Sequence, residues 1–243
     1  MSDSEHRQTS YRVRFDWGPS AAGALTADLL VVVDVLSFTT TLTVAADRGV
    51  PVIPCRWRDN RADALAVQYD ATRAGPRGCG GVSLSPGSVR AADGLERLVL
   101  PSPNGATISA AATGPVLGVS LRNRAAASSW LGERLDDGAT VVVIASGERW
   151  PDGSLRPAVE DLWGAGAVLS SFPAELLSPE ARAAVAAAGP VLGDPRDALR
   201  ACASGRELIA AGWGDDVDVA AELDASSALP VLCDGVFVPS ISS

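Results

Sequence analysis

Residues 29–41 constrain the fold of this 243-residue chain more than any other stretch. The stretch begins with an aliphatic run, Leu29–Val33, of the kind found in strands that are buried on both faces of a sheet. An acid, Asp34, follows the run, and hydroxyl residues and an apolar-periodic helix come next. Ligands of open α/β sheets bind at the carboxyl ends of strands, where a helix N-terminus attracts anions. Asp34 is therefore predicted either to hold a metal ion beside a phosphate or to cap the helix.

Strands alternate with helices along most of the chain, which predicts an α/β fold of three α/β/α layers with a largely parallel or mixed sheet. We expect residues 1–10 to be a flexible leader and residues 11–243 to form a single domain, with a division into two lobes near residue 115 left open. The C-terminal third is predicted to be mostly helical. Residues 72–94 are rich in Gly, Ser and Pro without periodicity, which is typical of a functional or disordered loop.

The predicted elements follow hydrophobic periodicity and helix start and stop signals. The strands lie at residues 11–15, 29–35, 52–54, 97–100, 116–119, 140–145, 228–232 and 235–238. The helices lie at residues 40–48, 60–71, 105–112 and 122–135, from about residue 157, and at starts near residues 178–180 and 194–195.

The charge of the chain excludes two classes of partner. Its 29 acidic and 20 basic residues give a net charge of −9, which repels nucleic acids and anionic membranes. No secretion signal and no apolar run near the length of a membrane span are visible, so a cytoplasmic protein is expected. An anionic substrate would then need a metal ion, arginines or backbone N–H groups for its binding.

The histidine and cysteine content excludes several common mechanisms. The only histidine, His6, lies in the polar N-terminal segment, so a Ser-His-Asp or Cys-His mechanism has no base. The four cysteines are far apart and form no CxxC pair, which argues against structural zinc. Catalysis would have to use carboxylates, hydroxyls, thiols, arginines or a bound metal.

Three loops that each follow a predicted strand carry the polar residues that are best placed for chemistry. A mostly parallel sheet would bring these loops to one rim, so we expect them to share a site. The loops contain Asp34, Ser37, Thr39 and Thr40 in the first, Ser102, Asn104 and Gly105 in the second, and Gly147, Glu148, Glu160 and Asp161 in the third.

Two of these groups have a structural explanation beside the functional one. The Asn104 amide and the N–H groups of the following helix could bind an oxyanion, but an Asn-Gly pair also suits turns with unusual backbone angles. Asp34 and Asp161 would offer the hard oxygen ligands that Mg²⁺ prefers, but Asp161 also complements the dipole at a helix N-terminus. The residues alone leave both pairs of explanations open.

Together the three loops resemble the motifs of the 2-phosphosulfolactate phosphatase (ComB) family. The family pattern of a strand followed by Asp-hydrophobic-Leu-Arg-Ala-Thr/Ser-Thr is similar to residues 31–41. Its Thr-Thr-Asn-Gly-Thr turn is similar to residues 102–106, and its later strand and Asp-Asp helix are similar to residues 141–147 and 160–166. The motifs keep the family order over residues 29–239, so the resemblance covers most of the chain.

The resemblance implies Mg²⁺-dependent hydrolysis of a small phosphate monoester, 2-phosphosulfolactate or a related phosphorylated hydroxy acid. It implies that Asp34 and Asp161 are the catalytic acids and metal ligands, and that a carboxylate orients the attacking water or attacks directly. The expected partner is a small anionic ester, and homo-oligomer formation is left open. The predicted substrate contacts are Ser37, Thr39, Thr40, Arg77, Asn104, Gly105 and Gly147.

The chain departs from the family pattern in ways that affect its chemistry. Ser37 stands where the family has an arginine, Leu84 replaces an asparagine before Ser-Pro, and Glu160 replaces the first paired aspartate. The family Gly-Glu-Arg segment has lost its acid near Arg77, which is the arginine that we expect to compensate. The alternative function is therefore a catalytically degenerate relative that binds a small anion or a protein partner.

Two other hydrolase classes share the strand-Asp pattern but fit this chain poorly. Isochorismatase-like hydrolases need a lysine, and the chain has none. Haloacid-dehalogenase phosphatases use Asp-x-Asp at a strand end, and Leu36 occupies the second position here.

Overall fold

The computed structural model describes residues 3–112 and 114–241. The strands are β1 (Val13–Trp17), β2 (Leu29–Val33), β3 (Val52–Cys55), β4 (Thr72–Arg73), β5 (Leu98–Pro101), β6 (Val116–Val119), β7 (Val141–Ala145), β8 (Glu148–Arg149), β9 (Leu155–Arg156), β10 (Ala228–Cys233) and β11 (Val236–Ile241). The helices are α1 (Asp3–His6), α2 (Gly18–Ala24), α3 (Phe38–Asp47), α4 (Asn60–Tyr69), α5 (Pro86–Ala91), α6 (Gly105–Ala111), α7 (Arg124–Asp136), α8 (Val159–Leu169), α9 (Pro179–Ala187), α10 (Gly189–Gly193), α11 (Pro195–Ala201), α12 (Ala203–Ala210) and α13 (Gly214–Ala220). A 3-10 turn, Leu121–Asn123, precedes α7.

A mixed nine-stranded sheet with the order β1-β7-β2-β6-β10-β11-β3-β5-β4 forms the centre of the molecule. Neighbouring strands are parallel within β1-β7-β2-β6 and within β3-β5-β4. The hairpin β10–β11 joins these two groups through antiparallel pairings. The second group therefore runs opposite to the first, because three antiparallel steps separate them.

The central strands are buried on both faces, which confirms the predicted three-layer α/β/α fold. In β2, Val31 and Val33 belong to one hydrophobic core, and Leu30 and Val32 belong to a second core on the other face. The residues of β7 alternate between the same two cores. Complete burial of each such side chain stabilises the fold by about 1.5–3 kcal/mol. The pattern explains why the sequence of β2 is aliphatic without alternation.

Close helix packing holds α8 against β2 at the end that carries Asp34. A Cβ atom on Gly164 would lie 2.7 Å from Val35 Cγ2 and 2.9 Å from Val33 Cγ1. Since real Cβ contacts are longer, glycine permits α8 to approach the strand this closely. The approach brings the first turn of α8, with its two acids, to the loop after β2.

Several predicted boundaries differ from the structure. The 72–94 loop contains β4 and α5, whose short lengths leave too few residues to show a period. In the predicted leader, Asp3–His6 form a helix and Gln8 is buried, donating from its amide to the Phe15 carbonyl at 2.9 Å. This contact attaches the leader to β1, while the first two residues lie outside the described residues. Within residues 3–112 and 114–241, no helix has the length and apolar character needed to cross a membrane.

Candidate functional site

Asp34 lies at the centre of the site and joins the loops that follow β2, β5 and β7. Its side chain is almost completely buried. Oδ1 accepts a hydrogen bond from the Phe38 N–H at the start of α3 (3.1 Å). Oδ2 accepts one from the Gly105 N–H (3.0 Å) and one from the Ser146 hydroxyl (3.4 Å). One carboxylate oxygen thus caps α3, as the sequence allows, and the other binds to two other loops.

The Asn104-Gly105 pair connects Asp34 to a second carboxylate. While the Gly105 N–H donates to Asp34, the Asn104 side-chain amide donates to Glu148 Oε2 at 3.0 Å. A Cβ atom on Gly105 would lie 2.3 Å from Phe38 Cδ1, so no larger residue fits this position. The pair places an amide and a glycine N–H between two acids at the N-terminus of α6.

Glu148 belongs to one of the loops that the sequence predicts at the site, although the sequence alone assigns it no role there. It follows β7 closely, as Asp34 follows β2, and this equivalent position is the signal that could have identified it. Glu148 is half-buried and lines the same cleft as Asp34 and Asn104. The cleft has a volume of about 510 Å³, and Ser37, Arg77 and Ser102 also line it.

Asp161 lies in the first turn of α8, where one of the two explanations from the sequence places it. It is buried, and its Oδ1 accepts from the Val35 N–H (2.7 Å) while its Oδ2 accepts from the Gly147 N–H (2.9 Å). It is not among the residues that line the cleft. These bonds tie the loops after β2 and β7 to α8, so the geometry makes Asp161 a support for the site. Besides Asp34, the carboxylates on the cleft wall are Glu148, which Asn104-Gly105 joins to Asp34, and Glu207.

Three other predicted contacts also use their polar groups within the protein. The Thr39 and Thr40 hydroxyls are fully buried and donate to the carbonyls of Asp34 (2.8 Å) and Val35 (2.7 Å). The N–H of Gly147 is bound to Asp161, as described above. The polar groups of Thr39, Thr40 and Gly147 therefore shape the loops in this structure, and their substrate contacts stay a prediction.

Arg77 and Ser37 meet in the cleft wall. Arg77 Nη2 donates to the Ser37 hydroxyl oxygen at 2.9 Å, and both residues line the cleft. An arginine from the 72–94 loop thus contacts the residue that replaces the family arginine. Arg77 Nε donates to Asp216 Oδ2 at 3.1 Å, and the Ser85 hydroxyl donates to Asp216 Oδ1. Asp216, which the sequence prediction missed, holds the guanidinium in place.

Burial raises the pKa of each carboxyl group of this cluster. It raises the pKa of Asp34 to about 7, with a further contribution from the charge of Glu148. It raises the pKa of Asp161 well above its ordinary value, and the charge of Asp34 adds to this effect. The pKa of Glu148 is raised by burial, against the lowering effects of its hydrogen bond from Asn104 and the charge of Arg156. A cation in the cleft would relieve this concentration of buried negative charge.

The donor set on the cleft wall fits Mg²⁺. Asp34 and Glu148 supply carboxylate oxygens, and Mg²⁺ is commonly bound by one or two carboxylates together with substrate phosphate and water. Among the described residues, no group of three or more His, Cys, Asp and Glu side chains could hold a metal ion. That finding disfavours a metal site built from protein ligands alone and is compatible with a site that substrate oxygens complete.

Comparison with known proteins identifies one family. The family model described as 2-phosphosulpholactate phosphatase matches residues 20–235, which include all three loops of the site. No curated protein matches the chain significantly.

Proposed function

The chain belongs to the 2-phosphosulpholactate phosphatase family, and we propose that it is a Mg²⁺-dependent phosphatase of a small phosphate monoester, 2-phosphosulfolactate or a related phosphorylated hydroxy acid. The observation that carries this proposal is the pair of carboxylates, Asp34 and Glu148, joined through Asn104-Gly105 on one cleft wall. The Arg77 guanidinium, a cation suited to phosphate oxygens, lines the same cleft. The cleft therefore combines acids that can hold a metal with a cation that can bind the ester.

Each residue has a defined part in this proposal. Arg77 and the Asn104 amide bind and orient the anionic ester, and Asp34 and Glu148 are the residues that would hold Mg²⁺. When bound, Mg²⁺ would neutralise charge on the transferring phosphoryl group. Asp34 either orients the attacking water or attacks phosphorus itself, and both roles use a buried carboxylate in a fixed orientation. In either case the ester P–O bond breaks and the alcohol leaves with a proton from water; in the second case water then hydrolyses the aspartyl phosphate. Asp161 holds the loops that carry Asp34 and Gly147.

The contact between Arg77 and Ser37 favours activity over the degenerate alternative. Loss of the family arginine at Ser37 removes a cation from the loop after β2. Arg77 supplies a guanidinium to the same place from another segment of the chain. Because Arg77 provides a positive charge beside Ser37, the replacement of the family arginine by serine is compatible with catalysis.

Phosphate release with and without metal tests the proposed function. We expect turnover of 2-phosphosulfolactate, or of another ester in a panel of small phosphomonoesters, in the presence of Mg²⁺. EDTA should abolish this turnover and added Mg²⁺ should restore it, since the acids alone cannot neutralise the phosphoryl charge. Turnover that is insensitive to EDTA would contradict the metal dependence. A folded protein without turnover on any ester would favour the degenerate relative.

Replacement of Asp216 tests the role of Arg77 in substrate binding. In Asp216→Asn, the guanidinium loses a buried charged partner, so we expect KM for the ester to rise about tenfold, with kcat changed by less than about threefold. Steady-state kinetics measures both constants. Asp215→Asn is the matched control, because Asp215 is exposed in the same first turn of α13. A folded Asp216→Asn variant with an unchanged KM would contradict this positioning role.

A further inference from the structure

A second cavity, of about 300 Å³, adjoins the cleft and has a strongly cationic wall. It shares Arg58, Arg77 and Leu84 with the cleft, and Arg73 and Pro101 are part of its remaining wall. The residues that line it include three arginines and no acid. In a chain with a net charge of −9, such a concentration of positive charge is unexpected without an anion to bind.

Arg73 is part of this cavity wall, and its protein partners use only some of its N–H groups. Its Nη2 donates to the Arg58 carbonyl at 2.8 Å, and its Nη1 lies 3.1 Å from Asp63 Oδ1. Its Nε is buried and has no hydrogen-bond partner in the described part of the chain. A guanidinium group has five N–H donors, so Nη1 and Nη2 each keep one donor besides these two contacts. An oxyanion in the cavity would accept from these remaining N–H groups.

The other two arginines add to the positive potential of the cavity. Arg77 lines both the cavity and the cleft, and it forms an ion pair with Asp216. Arg58 is exposed and forms no ion pair with an acid within residues 3–112 and 114–241. The cavity therefore has more cationic groups than acidic partners, and the residues that it shares with the cleft place it directly beside the cleft.

We infer that this cavity, termed the arginine pocket (Arg58, Arg73 and Arg77), binds a second anionic group of the substrate, separate from the phosphate that is hydrolysed. This inference rests on the proposed function. The group is an oxyanion with at least two acceptor oxygens, such as a carboxylate or sulfonate, which guanidinium groups bind through paired hydrogen bonds. Arg73 is then a residue that determines specificity, because it selects esters that carry this second charge.

A matched pair of esters tests the inference. In 2-phosphoglycerate a carboxylate accompanies the phosphate ester, and glycerol 2-phosphate lacks it. We expect the wild-type protein to have a kcat/KM at least tenfold higher for 2-phosphoglycerate. In Arg73→Gln the ratio between the two esters should fall about tenfold, as expected for a lost charge-assisted hydrogen bond. A ratio that Arg73→Gln leaves unchanged would overturn the assignment.

Two control variants separate anion binding from a structural role of Arg73. Arg97→Gln removes an exposed arginine that also donates to a backbone carbonyl, that of Tyr69, and should leave the ratio unchanged. Asp63→Asn removes the acid that pairs with Arg73 and leaves the guanidinium in place. It should maintain or raise the ratio, because the pocket becomes more positive. If Asp63→Asn lowers the ratio as Arg73→Gln does, the ion pair merely supports the loop and the inference fails.

Calorimetric binding in EDTA distinguishes this inference from the proposed function. Tighter binding of 2-phosphoglycerate than of glycerol 2-phosphate, lost in Arg73→Gln, supports the arginine pocket even if no ester is hydrolysed. Hydrolysis of both esters without this preference supports the phosphatase and overturns the pocket assignment. Binding of inorganic sulfate that depends on Arg73, without a preference between the esters, assigns the pocket to a free anion and also overturns it.

Discussion

Asp34→Asn is expected to lower kcat for the phosphate ester by about 10³-fold or more. The substitution removes the buried negative charge that would hold the metal, and metal stabilisation of phosphoryl charge contributes several kcal/mol. The amide retains one carbonyl oxygen, which can still accept from the Phe38 N–H, but its NH₂ group faces the Gly105 N–H. The charge is lost and one hydrogen bond is lost with it.

The folded state should survive Asp34→Asn, because the buried charge of Asp34 lowers the stability of the wild type at neutral pH. The pH dependence of thermal stability tests this explanation. Burial raises the pKa of Asp34 from 3.8 to about 7. A raised pKa in the folded state means that stability is complete below about pH 4 and falls as the pH rises through about 7. In EDTA, thermal unfolding of the wild type should therefore show a larger loss of Tm from pH 5 to pH 8 than that of Asp34→Asn.

Asp28→Asn is the control for both measurements. Asp28 is exposed directly before β2, at the opposite end of the strand from Asp34, where its Oδ2 accepts from Thr140. This variant should keep wild-type kcat and the wild-type change of Tm with pH. An Asp34→Asn variant that is folded and retains turnover would exclude a catalytic or metal-binding role for that carboxylate.

The sequence predicts those parts of the site that depend on local patterns. An aliphatic run that ends in an acid places Asp34 at the end of β2, because burial on both faces requires apolar residues at every position. Asn104-Gly105 is similarly local, since both residues lie between a strand and a helix start. Arg77 was selected from the position of a family motif, and the structure places it in the cleft.

The remaining parts of the site depend on contacts that no local pattern encodes. Asp161 and Val35 are 126 residues apart, and Arg77 and Asp216 are 139 residues apart. A carboxylate at a helix start looks the same in the sequence whether it accepts backbone N–H groups or faces a cleft. For this reason the sequence does not distinguish Asp161, which accepts backbone N–H groups, from Glu148, which lines the cleft, and it gives no signal for Asp216. The sequence also gives no sign that the antiparallel hairpin β10–β11 reverses the direction of the strand group β3-β5-β4.

Gly105→Ala is expected to destabilise the fold by about 2–3 kcal/mol and to lower kcat/KM by about 10²-fold. The new Cβ would lie 2.3 Å from Phe38 Cδ1 and 2.8 Å from Asp34 Oδ2. Phe38 is fully buried and packs edge-to-face with Phe237, so its ring has little room to move. The strain is therefore transmitted to the Asp34 carboxylate, and a displacement of about 1 Å at a catalytic group can cost 10²-fold in rate.

Gly132→Ala supplies the control with the opposite sign. Gly132 lies inside α7, and a Cβ there would have no neighbour within 4 Å. Alanine in the interior of a helix is favoured over glycine by about 0.5–1 kcal/mol, so this variant should be more stable than the wild type and equally active. Chemical denaturation and steady-state kinetics of the two variants measure both effects. Wild-type stability and kcat/KM in Gly105→Ala would show that α6 can shift without moving Asp34, and the link from Gly105 through Phe38 to the carboxylate would be wrong.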